Sequence, residues 1–283
     1  MRKRLMVTLI FLLTFSLALA ACGKSDKTSK TSEDKVQSGG SRDKNTILIG
    51  ADTTFPPFES EENGEVKGFD IDMIKAIADK EGLKVEQIKT MDFDGLIPSL
   101  QTDAIDVAVA GITIKTERLQ KVNFSNAYYK SGLSILVKNN SKIKSFDDLK
   151  GHLIATKKAT SSVDYLKDHG IKDGDIKQFE SIDQAYQTLE SGGVDAVLFD
   201  NPVNSNFKAQ HKDVKIVGGL LTGEYYGIAI SKKKPDLVKK INDGLEKIKE
   251  DGTYKELFKK YFGDDSSGIV NDVKSPDDVA LKG

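Results

Sequence analysis

The chain has 283 residues, with 42 Lys and Arg against 43 Asp and Glu, three histidines and a single cysteine. That length allows one large domain or two lobes of ordinary size. The near-zero net charge gives no footing to nucleic acid or to an acidic or basic partner. One cysteine cannot form an internal disulfide, and the histidines show neither metal-ligand spacing nor a nucleophile–base pairing.

Residues 1–21 read as an export leader: Arg2, Lys3 and Arg4 form a basic start, 5–19 an apolar run, and Ala20-Ala21 a small-residue cleavage site. The run is too short and wrongly flanked for a transmembrane helix. Cys22 follows at once, and Leu19-Ala20-Ala21-Cys22 resembles a bacterial lipobox, which implies a diacylglyceryl anchor on Cys22. Two acyl chains hold a protein stably on a membrane, whereas one is marginal; the alternative is a free thiol. Residues 22–45 are nearly all Lys, Ser, Thr, Asp, Glu and Gly, a composition that buries too little apolar surface to fold and reads as a tether.

Residues 46–51 predict a short strand ending at Asp52, followed by a stiff loop over 53–58 in which two prolines exclude helix. Gly68-Phe69-Asp70 opens a predicted helix with Ile71, Ile74, Ile77 and Ala78 on one face and Gly82 as its stop. A strand over 85–88 leads to Met91-Asp92-Phe93-Asp94-Gly95. A helix through Leu96, Ile97 and Leu100 then leads to a buried strand over 105–109. This β-α-β-α-β order implies a parallel sheet flanked by helices, in which ligands sit beyond the carboxyl ends of strands. Asp52, Phe55, Phe93, Gly111, Thr113 and Arg118 all fall at or just after such ends.

The stretch 110–129 offers a free carbonyl, a hydroxyl at Thr113 and the guanidinium of Arg118 within a few residues. Acceptors suit the ammonium of an amino acid, and a planar fork of donors suits its carboxylate. An ordinary strand, a turn and a solvated arginine would carry the same residues. A run over 131–137 precedes a second α/β unit: a strand over 153–156 with Lys157 at its end, then Thr160-Ser161-Ser162, hydroxyls expected to cap a helix beginning near Val163. Its free N–H groups would make an anion site. A helix with Ile182, Tyr186 and Leu189 leads to a strand over 194–199 ending at Asp200. The two units echo each other: helix, turn, aspartate (Asp106, Asp195), buried strand, and a polar group five residues beyond the aspartate (Gly111, Asp200). A strand over 226–230, an amphipathic helix after Pro235 and a last helix capped by Thr253 and stopped by Gly263 complete the pattern. Residues 264–283 are polar and predict no element.

Between about Ile47 and Gly263 the landmarks DTTFPPFE, GFDIDMIKAIA, MDFDGLIPSLQ, DVAVAGITIKTERLQKVNFSNAYY, SSVDYLK, VDAVLFDNP, YGIAI and DGTYKELFKKYFG run in order. With them the chain resembles the bacterial extracellular solute-binding proteins of family 3, the polar amino-acid class, and within it the glutamine-binding members. The resemblance implies an α/β fold of the two-lobed, hinged periplasmic-binding-protein type (type II), each lobe a mainly parallel sheet flanked by helices. Lobe 1 would be 46–129 and 229–264, lobe 2 would be 130–228 including the hinge strands, and 265–283 a polar tail. By resemblance, Arg118 grips the ligand carboxylate with the backbone N–H groups of Thr113 and Ser161, while the Gly111 carbonyl, the Thr113 hydroxyl and Asp200 hold the ammonium. Phe55 and Phe93 sandwich the ligand's stem, and Asp52 and Lys157 address its tip, a pair that suits an amide. Phe199 and Ser161 depart from the pattern, where relatives carry histidine and glycine. The implied partners are a free amino acid, glutamine first and glutamate, asparagine or a basic amino acid as alternatives, and a permease with its ATPase subunits. The implied protein is a monomer on the outer face of the cell membrane, with no cofactor or catalysis. A small-acid dehydratase on the same scaffold is the enzymatic alternative, with Asp52 and Lys157 as its only acid–base candidates.

Overall fold

The computed structural model describes residues 45–282, so the leader, Cys22 and all but the last residue of the tether lie outside it. Two five-stranded mixed sheets carry the fold. The first runs Lys84–Thr90, Thr46–Ala51, Val107–Val109, Ala229–Ile230, Asn123–Phe124, and the second runs Ile176–Phe179, Ile154–Lys157, Ala196–Asp200, Leu133–Lys138, Val214–Val217. In each, the first three strands are parallel, as the β-α-β-α-β order predicts. The fourth strand of each sheet is antiparallel to its neighbours, because it enters from the other half of the molecule. Short strands Tyr129–Ser131 and Glu224–Tyr226 pair side by side as the crossovers. No helix among the described residues is long and apolar enough to cross a membrane.

The helices follow their apolar spacing. Helix Phe69–Lys80 buries Ile71, Ile74, Ile77 and Ala78, and helix Pro235–Glu250 buries Leu237, Ile241, Leu245 and Ile248 against it. Gly68 has φ 137°, and a Cβ there would lie 2.0 Å from the Phe58 carbonyl oxygen, so only glycine lets this helix start beside the proline loop. Two expected caps are different. The Thr160 hydroxyl donates to the Lys157 carbonyl (2.7 Å) instead of capping helix Ser161–Asp168. Thr253 is the first residue of helix Thr253–Phe262, and Asp251 accepts its N–H at 3.0 Å.

The echo between the halves has a physical basis. Asp106 accepts the Leu48 N–H at 2.8 Å and its own N–H donates to the Leu48 carbonyl at 2.9 Å. Asp195 does the same with Leu153, at 2.9 and 2.8 Å. Each aspartate thus pins the start of its buried strand to the neighbouring strand, which fixes where the far end, with Gly111 or Asp200, emerges. The polar residues after Gly263 are not loose. The Lys130 N–H donates to the Gly268 carbonyl (2.8 Å), the Ala127 N–H to Lys274 (2.9 Å) and the Thr116 N–H to Leu281 (2.9 Å), so the segment lies along a crossover strand and the 110–129 stretch.

Candidate functional site

The strand ends of the two sheets face each other across a cleft that is nearly filled, with a free volume of about 10 Å³, about that of a single water. Phe55, Phe93, Gly111, Thr113, Arg118, Lys157, Ser161 and Asp200 line it, joined by Ala110, Thr160 and Phe199. Eight of the nine predicted ligand residues therefore converge on one cavity; Asp52 stands behind Lys157. A larger groove of about 330 Å³ at the crossovers brings together none of the predicted residues.

Arg118 is 5% exposed. It donates to the Thr113 carbonyl (2.9 Å) and, across the cleft, to the Ala159 carbonyl (3.0 Å). Its guanidinium lies 5.3 Å from the centre of the Phe93 ring, within cation–π range. The remaining N–H donors are free of these bonds, which suits a planar anion. Gly111 has φ 51°, and a Cβ on it would strike the Phe55 ring at 2.2 Å, so the glycine lets the aromatic press on the backbone. Phe55 is itself buried, edge-on to Phe199 with ring centres 5.7 Å apart and packed on Phe58 and Tyr226. It is a core aromatic that shows one edge to the cavity, and Phe199 supplies apolar surface where relatives were expected to carry histidine.

The Lys157 ammonium pairs with the Asp52 carboxylate and donates to the Thr54 hydroxyl (2.8 Å), whose own hydrogen goes to Asp52 (2.8 Å). The pair spans the cleft, since Asp52 follows a strand of the first sheet and Lys157 ends one of the second. Two further pairs bridge the rim, Lys115 with Asp164 and Lys158 with Asp94 (2.9 Å), and Lys158 also pairs with Glu180 on its own side. Asp92, Asp94 and Glu180 gather there, and Lys158 binds two of them.

Asp200 is 5% exposed, and the Tyr226 hydroxyl donates to it. Burial and then the Glu224 carboxylate push its carboxyl up to about 8, against the pull of the Tyr226 bond, Arg118 and Lys157. Behind Gly111, Asp70 accepts the Gly111 N–H (3.0 Å) and the Tyr128 hydroxyl (2.7 Å). Burial raises its carboxyl to about 6 and lifts that of Glu59 well above the usual range. A carboxyl with a raised folded pKa binds more protons folded than unfolded, so its stability contribution is full below about 4 and is lost as pH rises through the folded value. We expect thermal stability of the free protein to decline from pH 4 to 8, with Asp200→Asn flattening the upper part of that slope in melts across pH. An equally steep slope in the variant would show that Asp200 is not the group titrating there.

Glu224 carries no sequence signal and stands behind the cavity wall, bonded to two residues that line it. It is 1% exposed, and its Oε2 accepts the hydroxyls of Thr113 and Ser161, both at 2.8 Å. The histidines lie elsewhere: His152 pairs with Asp195, His169 stacks on Tyr165, and His211 bonds Glu190.

A two-lobed α/β protein with a cleft of paired charges between opposed strand ends belongs to the hinged binding-protein class of type II. The chain belongs to the bacterial extracellular solute-binding proteins, family 3, whose family model matches residues 47–264. It is 35% identical over 273 residues to the "ABC transporter glutamine-binding protein GlnH" of Bacillus subtilis (strain 168), covering 94% of this chain and 99% of that one. An ancestral arginine-binding protein bound to glutamine superposes with a TM-score of 0.72 at 46% identity, over 78% of this chain and 99% of the other. The same ancestral protein bound to arginine gives a TM-score of 0.72 at 46% identity, over 77% and 99%.

Proposed function

We propose that the chain is the substrate-binding component of an ABC importer for polar amino acids, with L-glutamine as ligand. The observation that carries this reading is the division of charge in one small cavity. Arg118 offers free donors beside the Thr113 hydroxyl and Asp200, while Lys157 presents an ammonium already matched by Asp52. The first set complements a carboxylate and an ammonium. At Lys157, an arginine or lysine tip would meet a like charge, and the Asp52 partner removes the demand for an acidic one. An amide, with one acceptor and two donors, suits that pair. The glutamine-binding relative and the glutamine-bound neighbour support this reading, and the arginine-bound neighbour makes arginine the competitor to exclude.

In this reading, Arg118 holds the carboxylate with the N–H groups of Thr113 and Ser161, and Gly111, Thr113 and Asp200 hold the ammonium. Phe55, Phe93 and Phe199 line the stem. Ligand joins groups of both lobes, 46–129 with 229–264 and 130–228, and so favours closure through its contacts on either side. Cys22 carries the lipid that keeps the receptor outside the cell membrane beside its permease and ATPase subunits. A thermal-shift screen of the full chain carrying Cys22→Ser against the twenty amino acids tests the ligand. Glutamine at about 100 times its dissociation constant adds about 2.7 kcal/mol, a rise of roughly 5–10 °C for a chain of this size. A comparable rise with arginine and none with glutamine would discard the amide reading. A chain that begins at residue 22 and carries Cys22→Ser, free of the apolar leader, should partition into the aqueous phase while the native mature protein partitions into detergent, and a native protein found in the aqueous phase would discard the anchor.

A further inference from the structure

Glu224 lies in the crossover strand Glu224–Tyr226, far in sequence from the groups it touches, and its carboxylate is a hub for hydroxyls. Oε2 takes Thr113 Oγ1 from the first lobe and Ser161 Oγ from the second, each at 2.8 Å, and Oε1 takes Thr222 Oγ1 at 3.0 Å. The direction of the third bond is fixed independently, because Thr222 Oγ1 already accepts the Leu133 N–H at 3.0 Å. A carboxylate only accepts, and a serine or threonine hydroxyl has one hydrogen to give. Thr113 and Ser161 therefore spend their hydrogens on Glu224 and turn lone pairs elsewhere. Both hydroxyl residues line the cavity.

We propose that Glu224 is a positioning residue that locks the Thr113 and Ser161 hydroxyls as acceptors, so that the head-group site selects an ammonium over a neutral hydroxyl. This rests on the amino-acid reading of the cavity. An ammonium carries only donors, and it meets the Thr113 lone pairs and the Gly111 carbonyl in the right sense, and Asp200 likewise once that carboxyl is ionised. A 2-hydroxy acid offers one donor in the same place and leaves acceptors facing acceptors, a mismatch that polar sites reject strongly. Without Glu224 the Thr113 hydrogen is free to rotate into the cavity, and a neutral hydroxyl gains a donor there.

The test is calorimetric titration of the full chain with L-glutamine and with its 2-hydroxy counterpart. The wild-type chain is expected to prefer glutamine by about 100-fold or more. Glu224→Leu should cut that preference at least about tenfold, weakening glutamine and strengthening the hydroxy acid. Glu224→Gln, which keeps the shape, should move it the same way by less and decides the matter if the leucine variant does not fold. In a Thr113→Val, Ser161→Ala background the preference should no longer respond to Glu224, as a mutant cycle reads directly. A variant that weakens both ligands equally makes Glu224 a structural tie and overturns the proposal. A wild-type chain that binds no amino acid overturns the functional reading itself and this inference with it.

Discussion

Arg118→Ala is expected to raise the dissociation constant for glutamine about 100-fold or more while the protein stays folded. Charge-assisted bonds to a carboxylate are worth about 1.5–3 kcal/mol each, and a bidentate grip loses two at once. That sum exceeds the roughly 2.7 kcal/mol that a 100-fold change requires. The fold weakens too. Arg118 gives one bond to the Thr113 carbonyl and one to the Ala159 carbonyl, and bonds from a charged donor contribute about 1.5–3 kcal/mol each. Arg118→Lys keeps the charge but loses the fork, so it should recover only part of the affinity. Calorimetry gives the affinity and circular dichroism the fold. Affinity within a few-fold of wild type in a folded Arg118→Ala chain would remove Arg118 from the ligand site.

The second large effect concerns the Asp52–Lys157 pair, whose side chains are 5% and 1% exposed. Removing one partner from a buried ion pair costs about 3–5 kcal/mol, because the other charge is left without compensation. Here the pair spans the cleft, which changes where the loss appears. In Lys157→Met the protein can return Asp52 to water by opening the lobes, without unfolding either. We expect the closed form to lose about 3 kcal/mol or more relative to the open one, a shift of roughly 100-fold in their ratio. Small-angle scattering or a fluorophore pair across the cleft should report an open shape, with the melting temperature falling far less than full unfolding would demand. Asp52→Asn combined with Lys157→Met removes both charges and should restore part of the closure. A single variant that melts some 10 °C lower while keeping its closed shape would show that the pair acts on the fold alone.

Much of the site was legible because strand ends are legible. The buried runs before Asp52, Gly111, Lys157 and Asp200 are short, β-branched and bounded, and all but Asp52 of those four open onto the cavity. The repeated aspartate was visible as a pattern, and the structure explains it as the group that sets the strand register. Glu224 was not legible. Between Gly223 and Tyr225 it reads as an exposed turn acid, and its burial depends on hydroxyls 111 and 63 residues away along the chain. Thr160 and Thr253 looked like helix caps because hydroxyls before helices usually cap, but a nearby carbonyl took one and Asp251 displaced the other. The segment after Gly263 has too few apolar residues to show a period. It is held by backbone bonds to the 110–129 stretch and the crossover strand, and such bonds leave no mark on side-chain composition.

The strand Ala229–Ile230 sits between Val107–Val109 and Asn123–Phe124 in the first sheet, whereas every strand of the second sheet lies between Leu133 and Val217. During synthesis, then, the half that begins first finishes last. The second sheet has all its strands as soon as Val217 has emerged. The first holds a gap in its hydrogen-bonded ladder, with apolar edges at Val107–Val109 and Asn123–Phe124, until Ile230 arrives to fill it. Unpaired edges of this kind invite mispairing. Until then the older half holds an unpaired apolar strand edge while the younger half already has all its strands.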